Sequence, residues 1–81
     1  MLTISDLLAL RRKELKITQK ELSLKTGISL TSLTKYEKGE RLPTYTNLNK
    51  LAKALHLKYD EVSDILENEK RSRKERVYGN N

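Results

Sequence analysis

The side chains that could carry chemistry in this 81-residue chain are hydrogen-bond donors and cations rather than nucleophiles or metal ligands. Cysteine is absent, which removes disulfides, thiolate metal sites and a thiol nucleophile together. The one histidine, His56, has no second ligand at metal-binding spacing, so it reads as a corner or surface residue and no metal or other cofactor is expected. Asp60, Glu61 and Asp64 lie close in sequence, but no positioned nucleophile or second catalytic group accompanies them. They read as the acidic start and solvated face of a helix, and no enzyme activity is assigned. What remains is the run Ser29-Leu30-Thr31, followed by Thr34 and Lys35, in which hydroxyls, an ammonium and an apolar tip share one side of a short helix.

The charge balance points the same way. Lys and Arg number 17 against 11 Asp and Glu, a formal net charge of +6. Polyanions are therefore favoured partners, with nucleic acid ahead of an acidic membrane or an acidic protein. The excess is uneven: up to Tyr59 there are 12 basic and 5 acidic residues, and from Asp60 onward 5 basic and 6 acidic. Near the start, basic residues follow a short apolar stretch instead of preceding it, the reverse of a secretory signal. The longest apolar run, Leu7 to Leu10, is far short of the roughly 20 residues needed to span a bilayer. A soluble, cytoplasmic protein with no membrane partner is expected.

The elements that must position these residues all read as helices, because apolar spacing is three and four throughout and no stretch alternates cleanly. Helix 1 is expected from about Ser5 to Leu15, with Ile4, Leu8 and Leu15 on one face, Arg12 between them, and Thr3 or Ser5 as the cap. Thr18-Gln19-Lys20-Glu21 has the capping-box pattern, so helix 2 begins at Gln19 and stops near Thr26, where Gly27 can turn left-handed. Ile28 then plugs inward and Ser29 caps helix 3, which runs to about Lys38 and ends at Gly39. Its Leu33, Tyr36 and Glu37 face the core, and Leu30, Thr31, Thr34 and Lys35 face outward. Pro43 marks a loop and Thr44 caps helix 4, about Tyr45 to Leu55, which buries Leu48, Leu51, Ala52 and Leu55. Helix 5, about Asp60 to Leu66, offers Val62, Ile65 and Leu66. After Asn68 nothing apolar recurs until Val77 and Tyr78, so residues 69–81 read as a basic tail, disordered in isolation. The expected fold is all-α, a compact bundle of five short helices in one domain, residues 1–68, plus the tail.

Two short helices joined at Gly27-Ile28-Ser29 make a tight corner, and such a corner presents its second helix as a ridge about as wide as a DNA major groove. The same stretch carries a resemblance. Ile17-Thr18-Gln19-Lys20-Glu21-Leu22, Gly27-Ile28-Ser29, Tyr36-Glu37-Lys38-Gly39, Pro43 and Leu51-Ala52-Lys53-Ala54-Leu55 follow one another as in the phage Cro and lambda-repressor family, which the chain resembles over more than half its length. Arg12 extends the match into helix 1.

The resemblance implies that helix 3 is a recognition helix. Ser29, Leu30, Thr31, Thr34 and Lys35 would then face base edges, with Lys35 suited to guanine and Leu30 to a thymine methyl. Gln19, first in helix 2, would hold a phosphate beside the helix N-terminus. Lys20, Lys38, Arg41, Thr44 and Asn47 would make further backbone contacts. Arg12 would pair with Glu37 as a structural ion pair. A transcriptional regulator, a repressor binding a palindromic double-stranded DNA operator as a homodimer, is implied, with Val62, Ile65 and Leu66 as the expected dimer interface.

The chain departs from the family pattern at four places. Ser23 replaces the usual Ala and needs a partner for its hydroxyl. His56 stands where Gly is usual and Lys58 where a capping Ser is common, which puts the corner between helices 4 and 5 in question. Leu24 occupies a normally polar, outward position. It raises the alternative of a protein-interaction module, antitoxin-like or binding an anti-repressor, that keeps the fold. Under that reading Thr31→Ala and Lys35→Ala are silent. An RNA-binding role for the tail alone is the third reading, and loss of nucleic-acid affinity on deleting Lys70 to Asn81 is its requirement. Tyr36, Tyr45 and Tyr59 fit core and corner packing better than a base-stacking platform.

Overall fold

The structure, a computed structural model, describes residues 2–79, with side chains described through Arg73. It contains α1 (Ile4–Glu14), α2 (Gln19–Thr26), α3 (Leu30–Lys38), α4 (Tyr45–Ala54) and α5 (Tyr59–Gly79), and no strand among the described residues. The starts of the first four helices are where the hydroxyl residues put them. Thr3 and Thr18 each form a reciprocal capping box, with Asp6 and Glu21 respectively. Ser29 accepts from the Ser32 N–H, and Thr44 from the Asn47 N–H.

The stops are equally local. Gly27 and Gly39 take left-handed geometry at φ +74° and +77°; after Gly27 the Ile28 N–H turns to the Thr26 hydroxyl, whereas after Gly39 the Glu40 N–H reaches the Lys35 carbonyl left open at the helix end. At the ends of α1 and α4 the same hydrogen-bond pattern forms around Lys16 and His56, at φ +58° and +56°. His56 therefore performs the turn for which the family uses Gly, and the corner forms despite the departure.

One core joins all five helices: Ile4 and Leu8 from α1, Leu22 from α2, Ile28 from the corner, Leu33 and Tyr36 from α3, Leu48, Leu51 and Ala52 from α4 with Leu55 beyond it, and Val62 and Leu66 from α5. α3 packs on α1 and α2, while α5 packs on α4 and α1. This arrangement leaves the outer side of α3 clear.

Two expectations need correction here. Helix 5 does not stop near Leu66 but continues to Gly79, 21 residues in all, so the bundle is four short helices and one long one. No Gly or Pro interrupts the chain between Leu66 and Gly79, and Glu, Lys and Arg dominate that stretch, so helix continues where apolar periodicity ends. Side chains also tie it back. The Ile4 N–H donates to the Glu69 carboxylate at the start of α1, and Arg73 donates to the Gly39 carbonyl at the end of α3, 3.3 Å away. A carboxylate at a helix start and a guanidinium at a helix end both have the sign that the helix dipole favours. The side chains of residues 74–81, most of the tail expected to be disordered, lie outside the described residues.

The second correction concerns Val62 and Leu66. They are 2 % and 0 % exposed within the single chain and belong to its own core, so they do not form the surface expected of a dimer interface. Of the three residues named for that role only Ile65 is partly exposed.

Candidate nucleic-acid interface

The corner between α2 and α3 is held by side chains that satisfy backbone groups the turn would otherwise strand. Thr26, buried, donates to the Leu22 carbonyl at 2.8 Å and accepts from the Ile28 N–H at 3.2 Å. Ser23, the departure in α2, donates to the Ile28 carbonyl at 2.5 Å, so its hydroxyl has its partner and bridges the turn. No buried side-chain polar atom is unpartnered among the described residues.

Behind the corner, Arg12 and Glu37 meet in a two-pronged contact, Nε to Oε2 at 2.7 Å and Nη2 to Oε1 at 2.9 Å, while Arg12 Nη1 donates to the Ile17 carbonyl at 2.9 Å. One guanidinium thus ties α1, the turn before α2, and α3. Burial works to raise the Glu37 carboxyl, but hydrogen bonds from Arg12 and Gln19 and the charges of Arg12 and Lys13 outweigh it and hold it below its ordinary value. The hydrogen bond to Glu37 raises Arg12 in turn.

The pair also reaches the surface. Gln19 Nε2 donates to Glu37 Oε1 at 3.1 Å, and the Thr34 hydroxyl donates to Gln19 Oε1 at 3.2 Å. Gln19, expected at a phosphate, and Thr34, expected at a base edge, are therefore bonded to each other.

The remaining expected base-facing residues, Ser29, Leu30, Thr31 and Lys35, share the outward side of α3 with Thr34. Ser29, Leu30 and Thr31 are exposed and Lys35 is half-buried. Ser29 does double duty, capping α3 and donating to Ser32 Oγ at 2.9 Å. Among the positions expected at the DNA backbone, Lys20, Lys38, Arg41 and Thr44 are exposed. Asn47 is partly turned inward and donates to the Tyr36 hydroxyl at 3.0 Å.

Sequence reasoning missed two cations. An open groove of about 590 Å³ lies along the start of α2, lined by Arg12, Lys13, Lys16, Ile17, Thr18, Gln19, Lys20 and Leu30. Lys13 and Lys16 come from the end of α1 and the left-handed turn after it, and no acidic residue lines the groove. The sign was available, since any cation in the turn just before a capping box lies beside the helix N-terminus that the box creates. With three ammonium groups around the positive start of an eight-residue helix, the groove suits an anion.

A helix pair with this corner, a part-buried Arg–Glu clamp and a clear outer helix defines the helix-turn-helix class. The family model described as Helix-turn-helix matches residues 8–62, and the chain belongs to that family, of the Cro/C1 type. Among curated proteins, the chain is 49 % identical over 59 residues to the cryptic phage CTXphi transcriptional repressor RstR of Vibrio cholerae serotype O1, covering 73 % of this chain and 53 % of that protein. It is 43 % identical over 54 residues to the HTH-type transcriptional regulator DicA of Escherichia coli (strain K12), covering 67 % of this chain and 40 % of that one. The aligned part thus spans about half or less of those relatives' length. No solved structure matches the chain. Among the described residues no helix is long and apolar enough to cross a membrane, and no group of three or more His, Asp or Glu side chains gathers as a metal site.

Proposed function

We propose that this chain is a sequence-specific reader of double-stranded DNA, a cytoplasmic transcriptional regulator that represses by binding a two-fold symmetric operator as a dimer. The observation that carries the reading is the outward side of α3, Ser29, Leu30, Thr31 and Lys35, standing clear of the core beside an anion-suited groove at the start of α2. A major groove admits such a helix, and a phosphate at the α2 start fixes its register. Membership of the helix-turn-helix family and the names of both relatives agree with it.

In this reading Lys35 donates to guanine, Thr31 and Ser29 to base edges, and Leu30 packs on a thymine methyl. Lys13, Lys16 and Lys20 join Gln19 at one phosphate group, with Lys38 and Arg41 further along the backbone. Residues 1–68 carry the DNA-binding activity, and 69–81 form a basic extension. Dimerisation falls to exposed surface including Ile65, since Val62 and Leu66 are committed to the core.

The experiment is selection of bound sequences from a random double-stranded pool at about 150 mM salt, where purely electrostatic binding is weakened. An enriched palindrome is expected, together with loss of enrichment in Thr31→Ala and Lys35→Ala. Sequence-independent retention that vanishes as salt rises, with both variants behaving as wild type, overturns the reading.

A further inference from the structure

The hydrogen bonds around Gln19 fix which way its amide faces. A carboxylate only accepts, so the Gln19 nitrogen must lie on Glu37, and its oxygen then lies on the Thr34 hydroxyl, as the distances of 3.1 and 3.2 Å record. A side-chain amide has two N–H groups. One is spent on Glu37, and Gln19 also lines the groove with Lys13, Lys16 and Lys20, where the second can be used.

Thr34 is bound just as tightly by the count of its protons. Its one hydroxyl hydrogen is shared between Gln19 Oε1 and the Leu30 carbonyl, 2.9 Å away, the ordinary bond of a threonine to the turn before it. Both partners are acceptors, so no proton is left for a base edge. Ser29, Thr31 and Lys35 on the same helix are not held in this way by Gln19.

We propose that Thr34 is a positioning residue: its hydroxyl holds the Gln19 amide against Glu37, so that the second Gln19 N–H is presented to a DNA phosphate in the groove at the start of α2. Thr34 then sets the register of docking without reading sequence. The inference rests on the DNA-binding reading, and it replaces the expectation that Thr34 faces a base.

Thr34→Val keeps the shape and removes the hydroxyl, and Thr34→Ser keeps the hydroxyl. With the enriched operator in hand, Thr34→Val is expected to bind about five- to tenfold more weakly, the size of one neutral hydrogen bond. The preferred sequence stays the same at every position. The salt dependence is also unchanged, because neutral Gln19 displaces no counterion. Thr34→Ser returns to within about twofold of wild type, and Thr34→Val has no further effect in a Gln19→Ala background, the signature of two groups acting as one. A changed base preference in Thr34→Val, or losses that simply add with Gln19→Ala, overturns the proposal.

The latch is also tested without DNA. The Gln19 side-chain amide signal in nitrogen-15 spectra should shift and exchange faster in Thr34→Val and stay in place in Thr34→Ser. An unmoved signal in Thr34→Val overturns the latch even if the operator is found. Absence of any selected operator, with the signal moving as expected, counts against the DNA reading and leaves the latch standing.

Discussion

The α2–α3 corner and the α4–α5 corner solve the same problem with different materials. Both end one helix on a left-handed residue and start the next within three residues. At the first, the left-handed residue is Gly27, the next helix is capped by Ser29, and Ser23 and Thr26 satisfy the groups between. At the second, His56 takes the left-handed position, and α5 starts after Lys58, whose side chain has no oxygen with which to cap. What helps there comes from elsewhere: Arg11 in α1 donates to the Leu55 carbonyl at 2.9 Å. The corner that aims α3 is satisfied by its own residues several times over, while the corner that only turns the chain is left improvable. Precise aim is the property a recognition helix needs, so the stabilising side chains are concentrated where geometry matters.

The strongest way to break this contrast is to remove the clamp behind the first corner. Arg12→Ala or Glu37→Ala should each cost about 2 kcal/mol, because the surviving charge is left part-buried without its partner, and removing both should cost less than the two losses added. Thermal melts of the four proteins check this, and simple additivity would show that the pair does not act as a unit. The clamp also carries a pH signature. Glu37 is held below its ordinary value of 4.5, so its contribution is fully present above that value and is lost as pH falls through the lowered one. Glu37→Gln should therefore be less stable at neutral pH yet lose less on acidification below 4.5. An acid limb as steep as that of wild type would place the sensitivity in other carboxylates.

The contrast also tracks what could be read in the sequence. Thr18, Gly27, Ser29, Gly39 and Thr44 act on backbone within four residues of themselves, so their types announce both the helix ends and the first corner. The Arg12–Glu37 pair spans 25 positions and was legible only through the family resemblance. The Glu69 and Arg73 contacts, 65 and 34 positions from their partners, left no local trace, and helix 5 was read too short because apolar periodicity stops at Leu66 while the helix-favouring Glu, Lys and Arg residues run on. The orientation of Val62 and Leu66 was hidden differently: an apolar stripe on the last helix looks the same whether it covers the chain's own core or a partner. Gln19 and Thr34 were each recognised as site residues, but spacing alone could not show that they bond to each other.

The second corner should respond to a better cap. In Lys58→Ser the new hydroxyl would sit three residues before Glu61, completing the capping-box pattern already present at α1 and α2. A gain of about 1 kcal/mol is expected, typical of an N-cap oxygen, with no change in DNA selection because Lys58 is remote from α3 in the chain and outside its groove. An unchanged melting temperature would mean that the start of α5 is already satisfied by another route.

The smallest effects come from exchanging the two left-handed residues' chemistry, and they should have opposite signs. A side chain at positive φ costs roughly 1–2 kcal/mol in the left-handed region, while glycine's extra freedom in the unfolded chain costs about 0.5–1 kcal/mol. His56→Gly trades strain for entropy and should come out about 0.5 kcal/mol more stable. Gly27→Ala makes the reverse trade at φ +74°, where an added Cβ meets nothing within 4 Å, so strain alone decides and about 0.5–1 kcal/mol should be lost. The loss should be accompanied by weaker operator binding only if the strain relaxes by turning α3. Chemical denaturation separates the first effect from binding. If Gly27→Ala lost stability with affinity intact, the Ser23, Thr26 and Arg12–Glu37 contacts would be sufficient to aim the helix without its glycine.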